Sequence, residues 1–262
     1  TANAIRLGIF ALMRPVITFN DSCIKCGQCA AVCPTHHISM VDGSPLSHHN
    51  RRCLQCMHCS STCPMKAIHF EHIPAYAEYP ETPEDETLKL IMTRRSVRKY
   101  QPQAVNRDTM QVIVECGINA PNAINRQAWE IRIVDNPEVI KKLTDLYVKD
   151  NPKEAENPNF QNMFRNAPTV AFIANDTTFA YSPVDCGLMA ENMILSAWSM
   201  GIGSCCLGGP ARFMKANPEA KKYLQEMGFS ENYDLLLCIG FGYPAETPKA
   251  KPRDAAKVKF MD

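Results

Sequence analysis

The chain has 262 residues, 45% hydrophobic and 21% charged, so a packed core is expected, in one large domain or two unequal ones. Its formal net charge of +1 excludes the basic excess typical of a nucleic-acid binder. No apolar run reaches membrane-spanning length: Leu7–Met13 is seven residues between Arg6 and Arg14, and it is also a poor signal-peptide core. The thirteen cysteines are an odd number, and eight of them form CxxC arrays. That usage points to metal sites rather than a secreted disulfide scaffold, and to the cytoplasm.

The first element in chain order is a repeat. Cys23, Cys26, Cys29 and Cys33 recur as Cys53, Cys56, Cys59 and Cys63, every offset being thirty residues. Pro34 pairs with Pro64, and Ile38 with Ile68. Between the copies Ile38–Val41 is strand-like, and Asp42-Gly43 offers the turn of a hairpin. A four-cysteine zinc site usually takes two CxxC pairs across a longer loop. Here each copy has three cysteines at three-residue steps and a fourth before proline. That run resembles the signature of bacterial two-cluster ferredoxins. The resemblance implies a small domain over 15–73 holding two [4Fe–4S] clusters. It assigns Cys23, Cys26, Cys29 and Cys63 to one cluster and Cys53, Cys56, Cys59 and Cys33 to the other. All seven histidines lie between His36 and His72, so the rest of the chain has none for acid–base work.

Residues 74–86 carry three prolines and five acids with no basic residue, the composition of an exposed linker. A helix is expected at its end, capped by Thr82 with Pro83 in first position. Further helices are expected from Asn106 to about Ile118, from Asn136-Pro137 to near Tyr147, from Ser182-Pro183 to Gly201, and from Asn217-Pro218 to Gly228. Glu130–Val134, Thr169–Ala174 and Asp234–Phe241 read as strands. The expected architecture is an α+β sandwich with a helix-covered central sheet. Neither a Rossmann fingerprint nor a Walker A sequence is present. The segment 148–168, with Phe160, Met163 and Phe164, reads either as an apolar lid over a site or as a helix packed on the sheet.

Arg94-Arg95-Ser96-Val97-Arg98-Lys99 packs four cations and a hydroxyl into six residues, a set able to clamp a phosphate. Four more landmarks follow. They are the run from Ala120 through Asn125 to Trp129, the long segment Asp185–Gly201 with Asn192, the glycine-bracketed Gly201–Gly209, and Gly240–Pro244 with the tail Lys251-Pro252-Arg253. In this order, over about 87–257, they resemble the nitroreductase family.

The resemblance implies an FMN-binding domain over 87–262 in a homodimer with FMN at its interface. Arg94, Arg95, Ser96 and Arg98 would take the phosphate and ribityl chain, and Lys251 and Arg253 would return to the phosphate. Asn125 would meet the flavin ring, while Pro121, Asn122 and Ala123 would reach the FMN of the partner. Cys206, Leu207, Gly208 and Gly209 would pass beside the isoalloxazine, where glycines let the backbone approach a flat ring. Ala128 stands where the family more often has proline, and the carboxylate that many relatives carry near Gly208 is missing. Cys205 and Cys206 read as buried small side chains, with nothing adjacent to lower a thiol pKa. The expected function is an iron–sulfur flavoprotein oxidoreductase. Its clusters feed FMN, which reduces a nitroaromatic, quinone or enone-like acceptor, and no side chain serves as catalyst. The donor would be reduced ferredoxin or NAD(P)H. The alternative is an electron-transfer flavoprotein that hands electrons to a protein partner.

Overall fold

The computed structural model describes residues 16–51, 53, 58–71, 84–157, 160–249 and 258–261. The chain divides into two compact units, the larger spanning Pro83–Thr247.

In the smaller unit the sequence repeat is also a structural one. Helices α1 (Gln28–Ala31) and α2 (His58–Thr62) occupy equivalent positions in the two copies. The Cys33 N–H donates to Ala30 O and the Cys63 N–H to Ser60 O, both at 3.2 Å. His36 and Lys66, thirty residues apart, share a positive φ of 49° and 50°. Strand β1 (Ile17–Phe19) pairs antiparallel with β4 (Ile68–Phe70). Strands β2 (Ile38–Val41) and β3 (Ser44–Ser47) form the expected hairpin. Its turn residues Asp42 and Gly43 have φ of 48° and 71°, the left-handed values a two-residue hairpin turn requires. Ile17, Ile38 and Ile68 are buried with Cys29 and Cys59, so the core is built partly from the cysteines themselves.

The larger unit is a four-stranded antiparallel sheet in the order β5-β6-β8-β7, formed by β5 (Trp129–Val134), β6 (Thr169–Asp176), β7 (Gly203–Leu207) and β8 (Tyr233–Gly242). Alternation along β6 sends Val170 and Phe172 to one face and Ala171 and Ile173 to the other. The first face packs on α5 (Pro137–Asp150), α7 (Gly208–Ala216) and α8 (Pro218–Glu226) through Ile140, Leu143, Met214 and Ala220. The second packs on α4 (Arg107–Ile118) and α6 (Ser182–Ser199) through Ile113, Met189 and Met193. Helices thus cover both faces, as expected. Among the described residues no helix is long and apolar enough to cross a membrane.

Three helices start where their asparagines promise. Asn106, Asn136 and Asn217 each accept a backbone N–H of the first turn. Helix α3 (Glu86–Thr93) differs from expectation: its cap is Asp85, which accepts the Leu88 N–H at 2.8 Å, whereas Thr82 and Pro83 lie outside the described residues. A carboxylate caps as well as a hydroxyl does and adds charge at the positive end of the dipole. Helix α5 runs three residues past Tyr147. The apolar lid is also corrected. Met163 and Phe164 are buried, Phe164 stands edge-on to Phe172 at 5.6 Å, and Phe160 packs against the same core. Asn162 and Asn166 turn this segment inward by accepting the N–H groups of Gln161, Asn162, Phe164 and Asn166.

Candidate functional site

In the smaller unit Cys23, Cys26, Cys29 and Cys63 line one pocket, to which Phe19, Pro45 and Ile68 also contribute. Three of these cysteines come from the first copy of the repeat and one from the second. Burial pushes the Cys29 thiol up to about 11, and the neighbouring Cys26, Cys23 and Cys63 push the same way. Such a thiol needs a cation to ionise, and a cluster iron supplies one. The Ala67 N–H donates to the Cys63 sulfur at 3.3 Å, the kind of contact that tunes a cluster. Cys33, Cys53 and Cys59 pack in the core of the same unit, and Cys56 lies outside the described residues. Among the described residues no group of three or more His, Cys, Asp or Glu side chains converges on a single metal ion. Thiols set around a volume suit a cubane, which takes one thiolate at each iron corner.

In the larger unit the basic segment leaves α3 and runs beside β7. Ser96 pairs in parallel with Ser204, and the Val97 N–H donates to Ser204 O at 2.9 Å. Gly203 permits this approach, because a Cβ there would stand 2.8 Å from the Val97 side chain. Tyr100 pins the turn from below, its hydroxyl donating to Val97 O at 2.6 Å. On the other side the Arg98 N–H donates to Glu246 at 2.6 Å. Arg94 pairs with Glu191 of α6 at 3.5 Å, and Arg95 donates to the carbonyls of Met92 and Arg94 at the end of α3. Beyond β7 the space is open: a Cβ on Gly208 or Gly209 would meet nothing within 4 Å. A cationic turn beside an uncluttered glycine pair fits an anionic cofactor with a flat ring, so these residues suit FMN.

Cys205 is buried as expected, but Cys206 is exposed, because neighbours along a strand face opposite ways. Desolvation by the surrounding protein, with Cys205 and Glu191, pushes the Cys206 thiol up to about 11 against the pull of Arg94 and Arg98. It is therefore a poor thiolate nucleophile at neutral pH.

The loop before β5 is held at several points. Ala123–Asn125 forms a 3-10 turn in which Ile124 takes φ 52°, and Asn125 and Gln127 follow at 53° and 51°. The Ala123 N–H donates to Asp185 of α6 at 3.0 Å, and the Gln127 N–H to the Asn122 side chain at 2.9 Å. Arg126 pairs with Asp176 at 3.1 Å and lies over the Phe179 ring at 4.6 Å. Pro121 and Asn125 are exposed, and Asn122 is partly so. Helix α6 thus anchors both segments, Asp185 holding the loop and Glu191 the basic turn, six residues or about 9 Å apart along its axis. Lys251 and Arg253 lie outside the described residues. Asp185, Glu191 and Glu246 were not singled out from sequence, where an acid in a helix or a turn looks like ordinary solvation. Asn192 donates to Cys116 O at 3.2 Å and so ties α6 to α4.

Comparison with known proteins places these two halves. Residues 91–243 match the model of the nitroreductase family, and residues 22–67 match that of a 4Fe-4S dicluster domain. A protein of Archaeoglobus fulgidus, named as an NADH dehydrogenase/NAD(P)H nitroreductase, is 30% identical over 168 residues, which are 62% of this chain and 87% of that protein. The NADPH-flavin oxidoreductase of Vibrio harveyi is 27% identical over 188 residues, 66% of this chain and 71% of its own. The crystal structure of a nitroreductase with bound FMN from Bacteroides fragilis superposes with a TM-score of 0.58 at 27% identity, covering 68% of this chain and all of that one.

Proposed function

Because the chain belongs to the nitroreductase family through residues 91–243 and carries a 4Fe-4S dicluster domain at 22–67, we propose that it relays electrons from two [4Fe–4S] clusters through FMN to an electron-poor small molecule. It is an FMN-dependent, iron–sulfur oxidoreductase. The acceptor class is a nitroaromatic, a quinone or an enone, and the donor is reduced ferredoxin or NAD(P)H. Once bound, the clusters carry single electrons and FMN converts them to the two-electron reduction of an organic acceptor.

The observation that carries this reading is the pairing of Ser96 with Ser204, which brings the basic turn beside a strand ending in an open glycine pair. Arg94, Arg95, Ser96 and Arg98 hold the phosphate and ribityl chain, joined by Lys251 and Arg253. Asn125 meets the ring, and Cys206, Leu207, Gly208 and Gly209 present backbone to it. Pro121, Asn122 and Ala123 face the second protomer's cofactor. Cys23, Cys26, Cys29 and Cys63 hold one cluster; Cys33, Cys53, Cys56 and Cys59 hold the other. The clusters belong to 15–73 and the flavin to 87–262, joined by 74–86. No histidine follows His72, so protons reach the substrate from solvent or a flavin-bound network.

A homodimer is supported by an apolar stripe at the start of α6, beginning at its N-cap Tyr181. Tyr181, Val184 and Leu188, spaced as one helical face, are 61%, 57% and 43% exposed in the single chain. A cysteine-rich cluster protein also suits the reducing cytoplasm. Anaerobic purification with iron, sulfide and flavin analysis tests the reading, followed by stepwise reduction with NADH or reduced ferredoxin and turnover of a nitroaromatic. Chains without acid-labile sulfide, or unable to retain FMN, would overturn it.

A further inference from the structure

The loop between α4 and β5 is built against its own backbone preferences. Ile124, Asn125 and Gln127 all have φ between 51° and 53°. That region is tolerable for asparagine but costly for a β-branched residue. Ile124 gains no burial in return, since it is 84% exposed. Strain of this kind persists only where the surroundings over-determine it, and it concentrates at functional sites.

Beside the Gln127 N–H bond to Asn122 within the loop, two contacts tie it to the rest of the fold. Arg126 is held by Asp176 and Phe179, which anchors the end nearest β5. The other end is tied to α6 by one backbone donor, the Ala123 N–H, and one acceptor, Asp185 Oδ1, at 3.0 Å. Asp185 is only 3% exposed, and its Oδ2 has no hydrogen-bond partner among the described residues. A buried carboxylate with a half-used acceptor set is expensive. A serine in the first turn of α6 would serve the helix alone at lower cost. The aspartate reaches sixty-two residues back along the chain to the loop instead.

We propose that Asp185 is a positioning residue for the flavin site, holding the loop by the Ala123 N–H so that Asn125 is presented to the ring. The proposal rests on the reading above that Asn125 meets the flavin. Asp185 itself touches no cofactor. It acts through Ala123, by the hydrogen bond that ties the strained turn to α6. Without that bond the turn relaxes toward negative φ, and Asn125 leaves its presented position.

The test uses the full chain, purified anaerobically, with FMN dissociation constant, bound-flavin absorption spectrum and flavin midpoint potential as readouts. Melting temperature and iron content are the controls. Asp185→Ala is expected to weaken FMN binding about tenfold and to alter the bound-flavin spectrum and potential, with iron content unchanged. Asp185→Asn keeps an acceptor at the same place and should restore most of the affinity and the spectrum. Ala123→Pro removes the donor from the loop side, and because its Cδ takes the place of the hydrogen facing Asp185, its melting temperature is read alongside. Asn122 is already extended, at φ −143° and ψ 153°, as a residue before proline must be. It should reproduce the loss seen in Asp185→Ala, and it serves as the test if Asp185→Ala does not fold. Wild-type affinity, spectrum and potential in both Asp185→Ala and Ala123→Pro overturn the proposal, as does an Asp185→Asn no better than Asp185→Ala. Asn125→Ala separates the two layers. If it leaves FMN affinity and spectrum unchanged, the flavin-side reading of the loop fails. If it perturbs them while the Asp185 and Ala123 variants do not, only the role of Asp185 fails.

Discussion

Asp176 shows how one side chain couples folding to pH. Its carboxyl is held below the usual range by the Thr178 hydroxyl, then by the Thr178 N–H, with Arg126 adding to both. A carboxylate depressed in the folded state contributes stability that is present above its unfolded pKa, near about 3.9, and lost as pH falls through the folded value. Asp176→Asn should therefore be less stable than wild type at neutral pH, with the gap closing below about pH 4. Denaturant unfolding across that range checks this, and a gap independent of pH refutes it. At the cysteines, Cys63→Ala should lose the same cluster as Cys26→Ala, since both line one cavity although thirty-seven residues separate them. Iron, sulfide and reduced-state EPR of the two variants should coincide, the double variant should lose nothing more, and Cys33→Ala should differ. The cysteines were legible because their spacing is itself the geometry a cluster needs. Asp185 was not, because an aspartate in a first turn looks the same whether it faces water or a distant amide.

At the scale of elements, the helices with Asn-Pro starts and the half-buried strands were readable, since caps and alternation are local. Strand β7 was not. Gly201–Gly209 shows in the sequence only as a glycine-bracketed segment, yet Gly203–Leu207 pairs residue by residue with β8, from Gly203 opposite Gly242 to Leu207 opposite Cys238. Helix α7 was missed for the same reason. It opens on Gly208-Gly209, which disfavour helix by about 1 kcal/mol each, and burial of Ala211 and Met214 outweighs them. The close approach at Gly203 is testable: Gly203→Ala should lower both melting temperature and FMN affinity by colliding with Val97. Val97→Ala in the same chain should recover part of both, and a strictly additive pair would contradict the contact. Phe164 belongs to packing and not to a lid. Phe164→Ala should cost about 3–5 kcal/mol of stability while leaving KM for a small acceptor unchanged. A raised KM without lost stability would return it to the site.

For the whole molecule, the fusion of a cluster unit with a flavin unit was visible in the sequence as two unrelated patterns, a thirty-residue cysteine repeat and a mixed α+β run. The proposed dimer would add a surface term. Tyr181, Val184 and Leu188 leave an apolar face on the helix that also anchors the basic turn and the loop. Val184→Glu is expected to shift sedimentation from two chains toward one and to weaken FMN retention with it. Monomeric wild-type protein with full flavin content would contradict the interface reading.

Local rules determined the repeat, the hairpin turn at Asp42-Gly43, the capped helix starts and the alternating strands, because each depends on neighbours within a few residues. Tertiary structure alone decided that Ser96 meets Ser204, that Phe164 turns inward and that Asp185 grips Ala123. Those contacts join residues tens to more than a hundred positions apart. Chain folding brings them together, and no periodicity or propensity along the sequence records the meeting.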